Sequence, residues 1–327
     1  MNNIVSPQFD ARGRLRHLLT LDGVPAAEIE ALLTAAEPLI ATPGVAADYP
    51  AALAGRTVAT LFFEPSTRTR CSFELAAKRL GADVVHLGAA GSSAAKGESL
   101  ADTLYTLEAM NVDLLIVRHK ESGVCEKLAA LAGPQTAIVN AGEGRTDHPT
   151  QGLLDALTIA RRKPDFAKLG IAIVGDIAHS RVARSAVTAF TALGATDLRL
   201  VGPTAWLPEE PPFAAAKHFI RLDEGIAGAD VVMALRIQKE RMNSAELPDS
   251  SSYFENYGLT EARLAAAAPD ALVMHPGPMN RGVEIDDEVA DGWRAVIREQ
   301  VRNGVAVRMA VMMRLLENRA DREEILV

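Results

Sequence analysis

Residues 57–80 read TVATLFFEPSTRTRCSFELAAKRL, and this stretch combines a strand pattern with the start of a helix. Thr57–Phe63 shows no strict alternation of polar and apolar residues, which is typical of strands buried on both faces of a parallel sheet. After a short polar turn, one apolar stripe at helical spacing comprises Phe73, Ala76, Ala77 and Leu80. The stretch therefore predicts a strand, a turn and a helix, the repeating unit of parallel α/β sheets.

The same unit recurs along the chain on both sides of a central segment. The further predicted strands are Val84–Leu87, Leu114–Val117, Ala137–Asn140, Ile171–Val174, Leu198–Val201, Val231–Leu235 and Leu272–Met274. Helical patterns lie between them, including one at about Arg181–Leu193. We therefore predict the α/β class, with two doubly wound parallel-sheet domains.

The central segment, Thr150–Arg162, has helical spacing and predicts a helix that joins the two domains. A chain of 327 residues is longer than one hydrophobic core usually serves, since single cores stop growing near about 250–300 residues. We expect a first domain over 1–150 and a second over 151–327. A last helix, at about 303–318, is expected to close the molecule, and its pattern leaves open whether it packs on the first domain.

The composition excludes several classes of protein. With 48% hydrophobic and 23% charged residues, the chain is globular rather than disordered. A net charge of −8 argues against nucleic acid or an anionic membrane as a partner. Cys71 and Cys125 form no CxxC pair, and residues 1–24 lack the apolar core of an export signal. No stretch reaches the ~18 apolar residues of a membrane span, so we expect a cytoplasmic protein.

Ser66-Thr67-Arg68-Thr69-Arg70 stands where the first predicted strand gives way to its helix. Ser66 or Thr67 suits the N-cap, which places Arg68 in the first turn, where the helix dipole disfavours a cation. Free backbone N–H groups, hydroxyls and guanidinium groups at one helix start predict an anion site, and phosphate is the anion such sites favour. A solvated basic turn is the alternative.

Polar residues also follow later strands of the first series. Arg118 ends a buried strand, and His148 and Gln151 flank the start of the joining helix. With Pro149 at the first helical position, both side chains face the same way and could hold one carbonyl group. A structural role for His148 remains open. The polar loop Ser92–Glu98 is, taken alone, only a connection.

In the second series, Gly175–Arg181 follows a strand but lacks the GxGxxG pattern of dinucleotide sites, so its arginine favours a carboxylate ligand. Arg236 and Gln238 would point to one side of an extended backbone, with solvated charge as the alternative. In His275-Pro276-Gly277-Pro278 two prolines lack N–H donors, so its carbonyls could accept from an NH₂ group, or the motif is simply a rigid turn.

Four of these motifs together closely resemble the catalytic chain of the aspartate carbamoyltransferases: Ser66–Arg70, His148–Gln151, Arg236–Arg241 and His275–Pro278. The resemblance runs from about Thr57 to Asn318. It implies transfer of the carbamoyl group from carbamoyl phosphate to the amine of L-aspartate in de novo pyrimidine (UMP) biosynthesis. The products would be N-carbamoyl-L-aspartate and phosphate, formed by direct amine attack with no covalent enzyme intermediate, cofactor or metal.

The resemblance also implies roles for individual residues. Carbamoyl phosphate would be bound by Ser66, Thr67, Arg68, Thr69, Arg118, His148, Gln151, Gly277 and Pro278, with Arg68, Arg118, His148 and Gln151 catalytic. Aspartate would be bound by Lys96, Arg181, Arg236 and Gln238, and the carbonyl acceptors would be Pro276 and Gly277. In the family the catalytic unit is a homotrimer, in which Ser92 and Lys96 enter a neighbouring subunit's site.

The continuation Met279-Asn280-Arg281-Gly282 resembles bacterial chains that associate with dihydroorotase or a dihydroorotase-like chain. Three other functions fit the sequence less well. An ornithine carbamoyltransferase is expected to carry a cysteine where Gly277 stands and a Ser-Met-Gly motif, and neither is present. A nicotinamide-dependent dehydrogenase lacks its glycine fingerprint here. A catalytically silent scaffold subunit is disfavoured because the expected site residues are in place.

Overall fold

The computed structural model describes residues 6–88, 98–238 and 250–323. Its contacts divide the chain into two compact units. Unit 1 comprises the described residues up to Thr150 together with those from Arg302 onward, and unit 2 is Gln151–Val301. Among the described residues, no helix is both long enough and apolar enough to cross a bilayer.

Unit 1 is built around a four-stranded parallel sheet with the order β2-β1-β3-β4. Its strands are β1 (Thr57–Phe62), β2 (Asp83–Gly88), β3 (Leu114–His119) and β4 (Ala137–Glu143). Its helices are α1 (Ala26–Ala36), α2 (Thr67–Arg79), α3 (Leu100–Ala109) and α4 (Val124–Leu131). The predicted first series of strands is therefore present, with ends shifted by one to three residues.

Unit 2 holds a five-stranded parallel sheet with the order β7-β6-β5-β8-β9. The strands are β5 (Gly170–Val174), β6 (Asp197–Val201), β7 (Lys217–Phe219), β8 (Val231–Ala234) and β9 (Leu272–Met274). Its helices are α6 (Arg181–Ala192), α7 (Leu222–Ile226), α8 (Ser250–Tyr257), α9 (Glu261–Leu264) and α10 (Asp287–Ala290). Two parallel sheets with alternating helices confirm the predicted α/β class.

Two helices carry the chain from one unit to the other: α5 (Pro149–Ala160) and α11 (Ile297–Glu323). The first corresponds to the predicted joining helix. The later residues of α11 pack within unit 1, where the Arg308 guanidinium lies 4.8 Å from the centre of the Phe73 ring and the Asn318 amide donates to the Leu15 carbonyl at 2.9 Å. The last helix thus contributes to the core of the amino-terminal unit.

The observed burial of the strands agrees with the predicted apolar runs except at β2. Strands β1, β3, β4, β5 and β8 are almost wholly buried, as expected of strands covered on both faces. Strand β2 is mostly exposed, with Val85 at 43%. The expectation of uniformly buried strands is wrong at β2, an edge strand. The other edge strand, β4, is paired with the amino-terminal segment, where Leu18 N donates to the Ile138 carbonyl at 2.9 Å.

Candidate active site

The strand order in unit 1 indicates that a ligand would bind at the carboxyl ends of β1 and β3. The chain runs from β1 outward to β2 and then crosses to β3, so the winding direction changes between β1 and β3. Open α/β sheets bind ligands at such switch points, outside the carboxyl ends of the strands. Phe62, the last residue of β1, is in register with Arg118 of β3, and helix α2 starts beyond this same carboxyl end of the sheet.

Helix α2 begins at the predicted anion motif. Ser66 is its N-cap, with an extended backbone (φ −160°), and its carbonyl accepts the first helical bond from Arg70 N at 3.2 Å. Its first turn, Thr67-Arg68-Thr69, carries no acidic residue. Thr67 and Arg68 are exposed and Thr69 is half-buried. The helix amino terminus and the guanidinium group of Arg68 therefore concentrate positive charge where an anion could approach.

Arg118 is fixed by two bonds within unit 1. It is 8% exposed; its Nη1 donates to the Ala141 carbonyl at 3.0 Å and its Nη2 to Glu64 Oε1 at 2.8 Å. Ala141 lies on β4 and Glu64 directly follows Phe63 in the segment after β1, so neighbouring segments position one guanidinium. A planar, permanently charged fork held in this way is preorganised for an oxygen ligand.

His148 lies just before α5 and is 4% exposed. The preceding loop closes on itself, because Glu143 N donates to the Asp147 carbonyl at 3.0 Å. The Asp147 carboxylate also accepts a hydrogen bond from the Thr20 hydroxyl at 2.8 Å, which attaches the loop to the amino-terminal segment. The backbone just before His148 is therefore held from two sides, an arrangement that sequence spacing did not reveal.

The corresponding switch point of unit 2 lies between β5 and β8, because the chain winds outward to β6 and β7 before it returns to β8. Arg181 is the first residue of α6 and is only 3% exposed. Ser180 caps the helix by accepting from Ala183 N at 3.1 Å. The Arg181 guanidinium is therefore a buried cation in the segment that follows β5.

Arg236 and Gln238 follow β8 and lie on one side of the chain, as alternation predicts. Ile237 between them points inward and is 1% exposed, in a cluster with Trp206 and Tyr253. The two polar side chains hold each other: Arg236 Nη2 donates to Gln238 Oε1 at 3.2 Å, and Gln238 Nε2 donates to the Arg236 carbonyl at 3.1 Å. The two side chains are therefore held together as a pair, and the Arg236 guanidinium carries its positive charge.

Asp176 connects the two strand ends of unit 2, a role that sequence reasoning missed. It is wholly buried, and its Oδ1 accepts from the His179 Nδ1 at 2.7 Å. Its Oδ2 accepts from Gln238 N at 3.1 Å. The carboxylate thus holds the segment after β8 against the segment after β5. The only sequence signal was its position just after a buried strand.

The turn after β9 is organised by His275, which is 1% exposed. Its Nδ1 accepts from Gly277 N at 2.8 Å, so Nδ1 carries no proton and the proton of the neutral ring lies on Nε2. Nε2 lies 3.1 Å from Glu284 Oε1 and donates to it. Gly277 has φ +65°, which favours glycine, and the peptide bond to Pro278 is cis. The imidazole therefore shapes the turn itself.

Tyr253 is a second buried group that the sequence did not single out. Its ring packs against Trp206 and is 3% exposed. Burial raises the pKa of its hydroxyl, and the nearby carboxylates of Glu284 and Asp176 raise the pKa further. The hydroxyl lies so close to Gly175 that an added Cβ there would be 3.1 Å from it. Tyr253 therefore remains protonated and fills the space beneath the strand ends.

Gln151 lies in the first turn of α5, is 8% exposed, and donates from Nε2 to Asp155 Oδ1 at 3.0 Å. The predicted residues of each unit thus lie at or after the carboxyl ends of its strands, or at the start of α5. Ser92 and Lys96, predicted to act in a neighbouring subunit, lie outside the described residues.

Comparison with known families agrees with this geometry. Residues 16–161 match the carbamoyl-P binding domain of the aspartate/ornithine carbamoyltransferases, and residues 167–315 match their Asp/Orn binding domain. Because the two matches cover most of the 327 residues, the chain belongs to the aspartate/ornithine carbamoyltransferase family, as the sequence motifs predicted.

Solved structures of both branches of the family are similar to this chain. Aspartate transcarbamoylase from Trypanosoma cruzi, crystallised with carbamoyl aspartate and phosphate, is 30% identical with a TM-score of 0.81 over 93% of this chain and 97% of that one. Ornithine carbamoyltransferase from Thermus thermophilus is 26% identical with a TM-score of 0.80 over 92% and 99%. The corresponding enzyme from Pyrococcus furiosus is 28% identical with a TM-score of 0.79 over 91% and 96%. The overall fold therefore does not by itself choose the amine substrate.

Proposed function

We propose that this chain is an aspartate carbamoyltransferase, which transfers the carbamoyl group of carbamoyl phosphate to the amine of L-aspartate. The observation that carries the choice of amine is the linked pair Arg236 and Gln238 after β8. With Arg181 at the start of α6, this switch point offers two guanidinium groups and an amide, which suit the two carboxylates of aspartate.

Ornithine would require the opposite chemistry at this end of unit 2. Its side-chain ammonium is a donor and needs acceptors, preferably a carboxylate. Asp176 is the carboxylate next to Gln238, and both of its oxygens already accept hydrogen bonds, one from His179 and one from the Gln238 backbone. The described residues here therefore favour an acidic side chain over a basic one.

Carbamoyl phosphate is assigned to the predicted residues at the switch point of unit 1. Ser66, Thr67, Arg68 and Thr69 take the phosphate, because the amino terminus of α2 supplies N–H donors and a favourable dipole. Arg118 and His148 donate to the carbonyl oxygen. The family resemblance assigns the carbamoyl NH₂ to Gln151 and to the carbonyl groups of Pro276 and Gly277 as acceptors.

In the proposed reaction, the neutral amine nitrogen of aspartate attacks the carbonyl carbon and forms a new C–N bond. The carbonyl π electrons move to oxygen, and the resulting oxyanion is stabilised by Arg68, Arg118 and His148. When the carbonyl re-forms, the C–O bond to phosphate breaks and the phosphate leaves with that electron pair. The amine proton passes to the departing phosphate, so no protein nucleophile is needed.

The assembly and setting are proposed from the family resemblance. We propose a homotrimer of catalytic chains in the cytoplasm, acting in pyrimidine biosynthesis, with Ser92 and Lys96 serving a neighbouring subunit and a dihydroorotase or dihydroorotase-like chain as a possible partner. Mass in solution, alone and with such a chain, tests both assemblies.

Mixing inactive Arg68→Ala and Lys96→Ala chains tests the shared site: restored activity supports it, and no restoration contradicts it.

The amine is tested with labelled carbamoyl phosphate and each acceptor in turn. We expect labelled N-carbamoyl-L-aspartate and phosphate from L-aspartate, and no product from L-ornithine. Product from ornithine alone would reverse the choice of amine. No phosphate release at high aspartate would instead support a catalytically silent subunit.

A further inference from the structure

A buried chain of hydrogen bonds in unit 2 links Gln151 to the turn after β9. Gln151 Nε2 donates to Asp155 Oδ1 at 3.0 Å, and Gln300 Nε2 donates to the same oxygen at 2.7 Å. Gln300 Oε1 in turn accepts from the backbone N–H of His275 at 2.9 Å. The three side chains are 8%, 0% and 2% exposed, in the order Gln151, Asp155 and Gln300.

The chemistry of these groups fixes the direction of both amides. Asp155 Oδ1 accepts from both amides, so Gln151 and Gln300 each present Nε2 to it. The His275 backbone N–H can only donate, which independently requires the same orientation for Gln300. A flipped Gln300 would place donor against donor at His275 and acceptor against acceptor at Asp155.

This orientation determines what Gln151 can offer a ligand. With Nε2 held by Asp155, its amide presents Oε1 on the opposite side, and that oxygen is an acceptor. Gln300 holds the backbone of His275 from within α11, and the His275 ring shapes the following turn through Gly277 N. One buried carboxylate therefore aligns an acceptor on α5 and, through Gln300, the carbonyl groups of the turn.

We infer that Asp155 and Gln300 are positioning residues that orient two acceptors, Gln151 Oε1 and the Pro276 carbonyl, for the NH₂ of carbamoyl phosphate. This inference rests on the proposed carbamoyl phosphate site, but it does not depend on which amine is the acceptor. Its consequence is specificity: the network distinguishes a carbamoyl group from an acetyl group, which has a methyl in place of NH₂. Sites built to hydrogen-bond an NH group discriminate strongly against analogues that lack it.

The test compares two ligands of the same charge. Acetyl phosphate and carbamoyl phosphate share the phosphate and the carbonyl, so the ratio of their dissociation constants isolates the NH₂. We expect Gln300→Met, a similar-sized residue without donor or acceptor, to weaken carbamoyl phosphate binding about tenfold, the loss typical of an uncompensated hydrogen bond. Binding of acetyl phosphate and of inorganic phosphate is expected to change less than about twofold.

Gln8 provides a matched control. It is also a buried glutamine, 1% exposed, and its Oε1 accepts from the backbone N–H groups of Leu19 and Thr20 at 2.7 and 2.9 Å. Gln8→Met therefore removes a comparable amide in unit 1, and we expect it to leave the ratio unchanged. Equal weakening of all three ligands by Gln300→Met would overturn the inference, because it would indicate general structural damage.

A second variant keeps the test decisive if Gln300→Met does not fold. In Gln300→Glu two carboxylates meet, and adjacent carboxylates share a proton as the pH falls. The protonated group can then donate to Asp155 and accept from His275, as the native amide does. We expect the preference for carbamoyl phosphate to recover as the pH falls; a ratio that does not change with pH would overturn the inference.

The proposed function and the positioning role of Gln300 are contradicted by different results. If the native protein shows no affinity for carbamoyl phosphate, the proposed function is wrong and the inference falls with it. If the native protein prefers carbamoyl phosphate over acetyl phosphate, but Gln300→Met keeps that preference and the preference of Gln300→Glu does not change with pH, only the positioning role is wrong.

Discussion

Arg118 and Glu64 form an ion pair at the switch point of the unit 1 sheet, with Nη2 2.8 Å from Oε1. The arginine is nearly buried and the glutamate about a quarter exposed, and the other arm of the guanidinium is bonded to Ala141. Both contacts are made by the two Nη groups of one planar guanidinium. The group that we propose for the carbonyl oxygen is thus oriented before a ligand binds.

Replacing Arg118 by lysine keeps the charge but loses the fork. A single ammonium has no rigid plane to satisfy Glu64 and Ala141 while facing the carbonyl oxygen. We expect Arg118→Lys to lower kcat about 100-fold with little change in the melting temperature. Arg56→Lys is the matched control, because Arg56 is 39% exposed and its Nη1 pairs with Asp113; equal losses in both variants would contradict the role of Arg118.

His148→Ala tests stabilisation of the oxyanion. If the imidazole donates to the carbonyl oxygen mainly in the transition state, turnover falls about 100- to 1,000-fold while carbamoyl phosphate binding changes little. Steady-state kinetics with both substrates, together with direct binding of carbamoyl phosphate, separate the two effects. An unchanged rate with poorer binding would refute the assignment.

Arg236→Ala tests recognition of the aspartate side chain. A charge-assisted contact to a carboxylate is worth about 1.5–3 kcal/mol, so KM for aspartate is expected to rise about 10- to 100-fold while binding of carbamoyl phosphate is retained. Arg221→Ala is the control, because this arginine is 66% exposed and pairs with nearby Glu224 at the surface. A rise in KM in the control as well would remove the support for Arg236.

The ionised carboxylate of Asp197 is expected to contribute to stability in a way that is lost in acid. Hydrogen bonds from Arg199, together with Lys217, lower its pKa from 3.8 to about 2. Since the folded pKa is below the unfolded one, the stabilisation is fully present above about pH 4 and is lost as the pH falls through about 2. The side chain is 29% exposed, so we expect Asp197→Asn to lower the free energy of unfolding by only about 1 kcal/mol at neutral pH.

Denaturant unfolding of both forms at about pH 7, 4 and 2 checks this window. The difference between native protein and variant should be constant from pH 7 to about 4 and disappear near pH 2. Asp48→Asn, at an exposed aspartate, serves as the control. A difference between Asp197→Asn and the native protein that persists unchanged at pH 2 would contradict the linkage.

Local patterns were sufficient for most strands and for the start of α2. Thr57–Phe62 and Leu272–Met274 were recognisable because short apolar runs identify buried strands without any knowledge of their neighbours. Strand β7 was not predicted, because Lys217-His218-Phe219 is a mostly exposed edge strand with no apolar run. Edge strands owe their conformation to one neighbour, which is a tertiary property.

The sequence alone determined the α/β class, the order of the strand and helix units, and the motifs that identify the family, because each depends on residues close together in the chain. Only the tertiary structure decided which groups hold those motifs in place. Asp176 meets the Gln238 backbone across 62 residues, and Gln300 meets Asp155 across 145. Such pairs leave no periodic signal, since their geometry arises only when the sheet and helices bring distant segments together.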